Sequence, residues 1–243
     1  MKPFLLLSIR SEPEAVTEEY DAFRRFLGVT PAELETRSLA TGRLGEVTLD
    51  DWSGILLGGG AFTVSDPDER KSDAQRRAED DLGVLLDLVV AADFPFLGAC
   101  FGIGTLGTHQ GGVVDTSYPE PVGPLEVTVT REGAADPLFA SVPRDFTAYG
   151  GHKEALSRLP AHATLLATSE SCPVQAFRVG EHVYATQFHP ELDLPGILTR
   201  IAVYSTFGYF DPGEVADLQA AAARVTVTHP GRLLRNFARR YAR

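Results

Sequence analysis

The chain is poor in cysteine, with two in 243 residues, Cys100 and Cys172. That excludes a disulfide scaffold and points to a reducing, cytoplasmic compartment. It is also short of positive charge: 22 Lys and Arg stand against 33 Asp and Glu, a net −11. A duplex-binding surface needs basic residues, so no nucleic-acid partner is expected. No apolar stretch approaches the ~18 to 20 residues of a spanning helix, so no membrane association is expected either. The opening Phe4–Leu7 run passes into Ser8-Ile9-Arg10-Ser11-Glu12 with no small-residue cleavage site, and reads as a strand rather than a leader. Neither Gly-x-Gly-x-x-Gly nor a phosphate-loop Gly-Lys-Ser/Thr occurs, which argues against a nucleotide cofactor. Internal repeats and low-complexity tracts are missing as well.

What is present is a globular composition, 44% apolar and 23% charged. Continuous apolar runs at Phe4 to Leu7, Ile55 to Leu57 and Phe94 to Leu97 suit strands covered on both faces of a parallel sheet. Helical patterns lie between them. Ser11 to Leu27 opens with Ser11 and Glu14 at capping-box spacing and stops at Gly28, and Ser72 to Ala92 carries an apolar stripe from Ala74 to Val89. Beyond about residue 112 come shorter strand-like runs, Leu125–Thr130, Leu165–Thr168, Val174–Arg178 and Val183–Gln187. Helical patterns return over Gly196–Phe207, Gly213–Ala223 and Gly231–Tyr241. The expected fold is α/β: an open, mostly parallel, flavodoxin-like sheet with helices on both faces, antiparallel strand additions and a helical C-terminus. One α/β domain over 1–195 and a helical extension over 196–243 packed on it is the expected division.

Two loops carry chemistry. Gly98-Ala99-Cys100-Phe101-Gly102 follows an apolar strand and opens a helix, the cysteine version of a nucleophile elbow. The helix N-terminus there favours a thiolate, and the Phe101 amide would face a substrate carbonyl. Gly58-Gly59-Gly60, after another buried strand, belongs at the same sheet edge and could supply a second oxyanion donor. The second loop is Gln187-Phe188-His189-Pro190-Glu191. In extended backbone His189 and Glu191 share a side, and a carboxylate beside an imidazole fixes its tautomer. Cys100, His189 and Glu191 form a candidate relay; a metal site at His189 and Glu191 lacks further ligands at recognisable spacing.

These residues resemble the class I glutamine amidotransferases, whose marks are the Gly-x-Cys-x-Gly elbow and a later His-Pro-Glu; the chain looks most like stand-alone proteins similar to the glutaminase domain of GMP synthase. The resemblance implies that Cys100 attacks the glutamine amide carbon, His189 protonates departing ammonia, Glu191 orients His189, and Gly59, Gly60 and Phe101 form the oxyanion region. Tyr149-Gly150-Gly151-His152-Lys153-Glu154 resembles the family loop that helps hold the glutamine amino group, which implies substrate-binding roles for His152 and Glu154. Two departures stand out. Gly104 occupies a position where many members carry a glutamine that contacts substrate, and the Gly-Gly loop reads Gly58-Gly59-Gly60-Ala61-Phe62 without the usual proline.

The implied activity is glutaminase chemistry through a cysteinyl thioester, with a small-molecule substrate, no cofactor, and, for a partner, an ammonia-accepting synthetase subunit. Two alternatives stay open: a hydrolase of γ-glutamyl amines or peptides, and a catalytically silent binding module. Cys172, His109, His162, His182 and His229 sit in no motif and are expected to be inert. The arginines Arg232, Arg235, Arg239, Arg240 and Arg243 are expected on a solvated face of the last helix, or on a surface that docks an acidic partner.

Overall fold

The first apolar run, Phe4–Ser8, forms strand β1 with every residue buried, because alternate side chains serve different layers. Leu5 and Leu7 join one core cluster, while Phe4 and Leu6 join the other. The computed structural model describes residues 1–208 and 210–243. After β1 come α1 (Pro13–Leu27), β2 (Leu34–Ser38), β3 (Gly54–Leu57), α2 (Asp73–Ala91), β4 (Phe96–Ala99) and α3 (Phe101–His109). The second half holds β5 (Val113–Asp115), β6 (Glu120–Val129), α4 (Arg131–Ala135), β7 (Asp145–His152), β8 (Ala155–Arg158), β9 (Thr164–Thr168), β10 (Ala176–Val179) and β11 (Val183–Thr186). Three helices close the chain, α5 (Leu194–Val203), α6 (Val215–Ala223) and α7 (Gly231–Tyr241).

Among the described residues, nine strands form one mixed sheet in the order β2-β1-β3-β4-β11-β10-β9-β6-β7. The pairs from β2 through β11 are parallel and those from β11 onward antiparallel. The leading order 2-1-3-4 is that of the flavodoxin-like fold. Residues of α2 and α3 cover one face, with Leu82, Leu86, Phe101 and Ile103 meeting Leu5, Leu7, Ile55 and Phe96. Residues of α1 and α7 cover the other, with Phe23, Leu27, Leu234 and Phe237 meeting Phe4, Leu6, Leu56 and Leu97. A third, smaller cluster joins Tyr149 to α5 and α6 through Leu192, Ile197, Ile201 and Ala222.

Several boundaries differ from the sequence expectation for local reasons. Helix α1 starts at Pro13 with Glu12 as its N-cap and no side-chain cap; the Ser11 hydroxyl donates to Glu12 Oε1 instead of capping the helix. Pro13, whose missing amide and fixed φ suit the first helical position, sets the start. In α2 the Ser72 hydroxyl does accept from the Gln75 amide at 3.1 Å, but the Gln75 side chain reaches Thr63 O and Glu79, so the reciprocal half of the capping box is not made. Arg243 lies exposed just past the end of α7, and its guanidinium donates to the Trp52 and Leu49 carbonyls and ties the C-terminus to the loop before β3.

Candidate active site

Four parallel strands end on one edge of the sheet, where doubly wound sheets bind ligands. Here β1 delivers Ser8 to Arg10, β3 delivers Gly58–Gly60, β4 delivers Cys100, and β11 delivers Gln187 to Glu191. Cys100 sits between β4 and α3 with φ 54° and ψ −95°, a left-side conformation that a non-glycine residue avoids unless its surroundings impose it. Its amide donates to Thr186 O at 2.8 Å, pinning the turn to β11. The flanking glycines are steric necessities. A Cβ on Gly98 would stand 2.9 Å from the Gly102 Cα.

His189 is buried, and its amide donates to Tyr149 O at 3.0 Å, a bridge from the end of β11 to β7. Its Nδ1 donates to Glu191 Oε1 at 2.7 Å, which leaves Nε2 on the side of Gly59. The Cε1–Nε2 edge of the ring lies beside Gly59, where a Cβ would come within 2.6 Å of Cε1 and 2.9 Å of the Cys100 Cβ. Only glycine fits between imidazole and cysteine there, and the two residues line one cleft. Burial alone would lower the affinity of His189 for a proton, but Glu191 and the neighbouring Cys100 more than offset it and raise the pKa to about 9. Glu191 is fully buried; burial would raise its pKa, yet His189 and Arg200 hold it at about 2. Arg200, from α5, places Nη2 3.4 Å from Glu191 Oε1 and 3.2 Å from Glu18 Oε2.

A second network lies on the far wall. The His152 ring is held at each nitrogen, by Glu154 O at 2.8 Å and Glu120 Oε2 at 2.7 Å. Glu120 also accepts from Ser169 Oγ, Ser171 Oγ and Gln175 Nε2. Burial would raise its pKa, but His152, Ser171 and Ser169 hold it at about 2. Cys172 joins this group, with ligand-type atoms of Glu120, His152 and Cys172 within 4.8 Å of one another. Every carboxylate and ring position in the cluster already has a protein partner, so a cation would have to break bonds to enter. Burial pushes the Cys172 thiol up to about 11. A buried, protonated thiol is the opposite of an activated nucleophile, whereas Cys100 faces a cleft.

Gly104, His152 and Glu154, read from the sequence as substrate contacts, line one cleft with Cys100, Phe101 and Gly60. Two of them spend hydrogen bonds inside the protein. The Glu154 carboxylate accepts from the Val64 and Ser65 amides, both at 2.7 Å, clamping the loop after Gly60, and the His152 ring is held as described. At Gly104 a Cβ would approach the Val64 Cγ2 at 3.2 Å, so this loop takes the space a longer side chain would use. Sequence reasoning misses Gln187: it is 2% exposed, lines the same cleft, and its Oε1 has no hydrogen-bond partner among the described residues. It stands inside the His189 motif but carries no titratable group to draw notice.

A family model described as glutamine amidotransferase class-I matches residues 29–195, more than half of the chain. The chain belongs to the class I glutamine amidotransferases. Among relatives, this amidotransferase is 33% identical over 147 residues to a protein of Thermoplasma acidophilum named as a subunit of glutamine-hydrolysing GMP synthase, covering 60% of this chain and 66% of that protein. It is 33% identical over 108 residues to a protein of the same name from Methanocaldococcus jannaschii, covering 44% of this chain and 56% of that one. The match thus spans less than two thirds of either relative. A glutamine amidotransferase of Thermotoga maritima superposes with a TM-score of 0.78 at 20% identity over 99% of this chain and 98% of that one. A Thermoplasma acidophilum protein described as belonging to GMP synthase gives 0.67 at 22% identity, over 98% of this chain and 94% of the other. At such identities the superpositions establish the fold.

Proposed function

We propose that this amidotransferase hydrolyses the side-chain amide of glutamine through a thioester on Cys100. The observation that carries the reading is the placement of Cys100, in its strained elbow, across Gly59 from a His189 ring whose other nitrogen is bound to Glu191 at 2.7 Å. With the thiol proton already on His189, the sulfur bonds to the γ-carbonyl carbon, and the amides of Phe101 and of Gly59 or Gly60 receive the oxyanion. His189 then returns the proton to the departing nitrogen, and a water deprotonated by the same ring cleaves the thioester to glutamate. Glu191, held ionised by His189 and Arg200, keeps the ring in the tautomer this requires and stabilises the imidazolium.

Glutamine enters on the wall built by Gly104, Lys153, Glu154 and Gln187. The buried acceptor of Gln187 offers a place for the substrate ammonium, and Glu154 and His152 shape the wall through the loop they hold. The names of the two relatives, both glutamine-hydrolysing subunits, support an ammonia-accepting synthetase as partner. The test is ammonia release from glutamine by the purified chain, with and without such a synthetase, beside the Cys100→Ala variant. Release that is lost with the sulfur supports the mechanism. Release that survives its removal rejects the mechanism, and no release in either condition favours a silent binding module.

A further inference from the structure

We propose, resting on the cysteinyl-thioester reading above, that the chamber on the His189 side of Cys100 is a leaving-group subsite for an apolar primary amine, which makes N-alkyl γ-glutamyl amides substrates. The cleft has two lobes. Cys100, Gly60 and Gly151 border both; Phe101, Gly104, Glu154 and Gln187 border one, and His189 borders the other. The general acid must reach the departing nitrogen, so the leaving group lies in the lobe that His189 borders, while the glutamyl part lies in the lobe of Phe101 and Gln187.

That leaving-group lobe is apolar at its surface, lined by Val122, Leu192, Ile197, Phe210 and the ring of Tyr204. It opens to solvent, and its interior space of about 60 Å³ holds several water-sized groups, more than ammonia requires. The Tyr204 hydroxyl is turned to Arg10 at 2.8 Å and Glu12 at 3.0 Å, which leaves the ring as its contribution to the chamber. Two cations stand at the rear, Arg10 and Arg200, and both are matched. Arg10 pairs with Glu19 at 2.8 Å, and Arg200 with Glu18 at 3.2 Å and Glu191 at 3.4 Å. Two guanidinium groups therefore face three carboxylates, and a leaving amino acid would bring a fourth into the same buried network. The chamber favours an alkyl amine over a γ-glutamyl peptide on that ground.

The reaction balances without a further reagent. The Cys100 sulfur bonds to the γ-carbonyl carbon, the carbon–nitrogen bond breaks, the proton on His189 goes to nitrogen, and the alkylamine leaves; water then gives glutamate and restores the thiol. The test is glutamate formation by the full chain from glutamine, from γ-glutamyl methylamide through butylamide, and from γ-glutamylglycine. We expect kcat/KM to rise roughly threefold per added methylene, with γ-glutamylglycine at least about tenfold below the butylamide. Cleavage of glutamine with no gain along the alkyl series overturns the subsite and leaves the thioester reading intact. A preference for γ-glutamylglycine overturns it by showing an available cation. Failure to cleave any of the amides also overturns it, and alkylation of Cys100 by a glutamine-mimicking electrophile in the same preparation decides whether the thioester reading falls too.

Discussion

Cys100 holds a backbone conformation that costs energy, φ 54° and ψ −95°, and its neighbours impose it through the Thr186 hydrogen bond and two glycines. At this scale the first prediction concerns the sulfur: Cys100→Ala should lower glutamine turnover by at least about 10³-fold with little change in Tm, read from ammonia release and calorimetry. The second concerns Gln187, whose buried oxygen lacks a partner in the free protein. Such an orphan destabilises the fold, whereas a substrate ammonium would satisfy it. Gln187→Leu should therefore raise KM for glutamine about tenfold or more while leaving Tm unchanged or higher. A fall in Tm with KM unaltered would assign Gln187 to packing instead. Glu191 owes its charge to His189 and Arg200. Its replacement by Gln keeps the shape and removes the field that holds the imidazolium up.

At the scale of elements, α7 is structural. Leu233, Leu234 and Phe237 are fully buried against α1 and the sheet. Leu234→Ala should cost about 2 to 5 kcal/mol, measured as a shift of the urea midpoint with the slope retained. Deleting the helix would unfold the domain before it reported on any partner. The parallel core was legible because β1, β3 and β4 bury every residue and so read as unbroken apolar runs. Strand β2, Leu-Glu-Thr-Arg-Ser, was not legible. It lies at the sheet edge with one of its five residues buried, and nothing in its composition separates it from a loop. Strand β7 contains Gly150 and Gly151, which weaken a strand signal; its pairing with β6 is a tertiary choice. The residues proposed as the relay stand in two short motifs visible in the sequence, whereas the Glu120–His152 pair joins residues 32 apart that belong to no common motif.

For the whole molecule, the His189–Glu191 pair makes stability depend on pH. His189 titrates near 9 folded against 6.5 as a free group, so its contribution is complete below about 6.5 and is lost as pH rises through 9. Glu191 is depressed from 4.5 to about 2, so its contribution is complete above 4.5 and is lost as pH falls through 2. Between about 4.5 and 6.5 both are fully present. The stability difference between the native chain and His189→Gln should be flat in that window and shrink toward pH 9, by at most about 3 kcal/mol. Denaturant titration across the range checks it. A difference that grows with alkalinity would have the wrong sign for an imidazolium held by its neighbours.

The molecule holds two cysteines, each with a histidine and a glutamate in the same neighbourhood, of which Cys100 is the proposed nucleophile and Cys172 is expected to be inert. Peptide-resolved mass spectrometry after treatment with a glutamine-mimicking electrophile tests that most directly. One adduct per chain, on Cys100 and suppressed by excess glutamine, is the predicted result; modification of Cys172 with Cys100 untouched would contradict it.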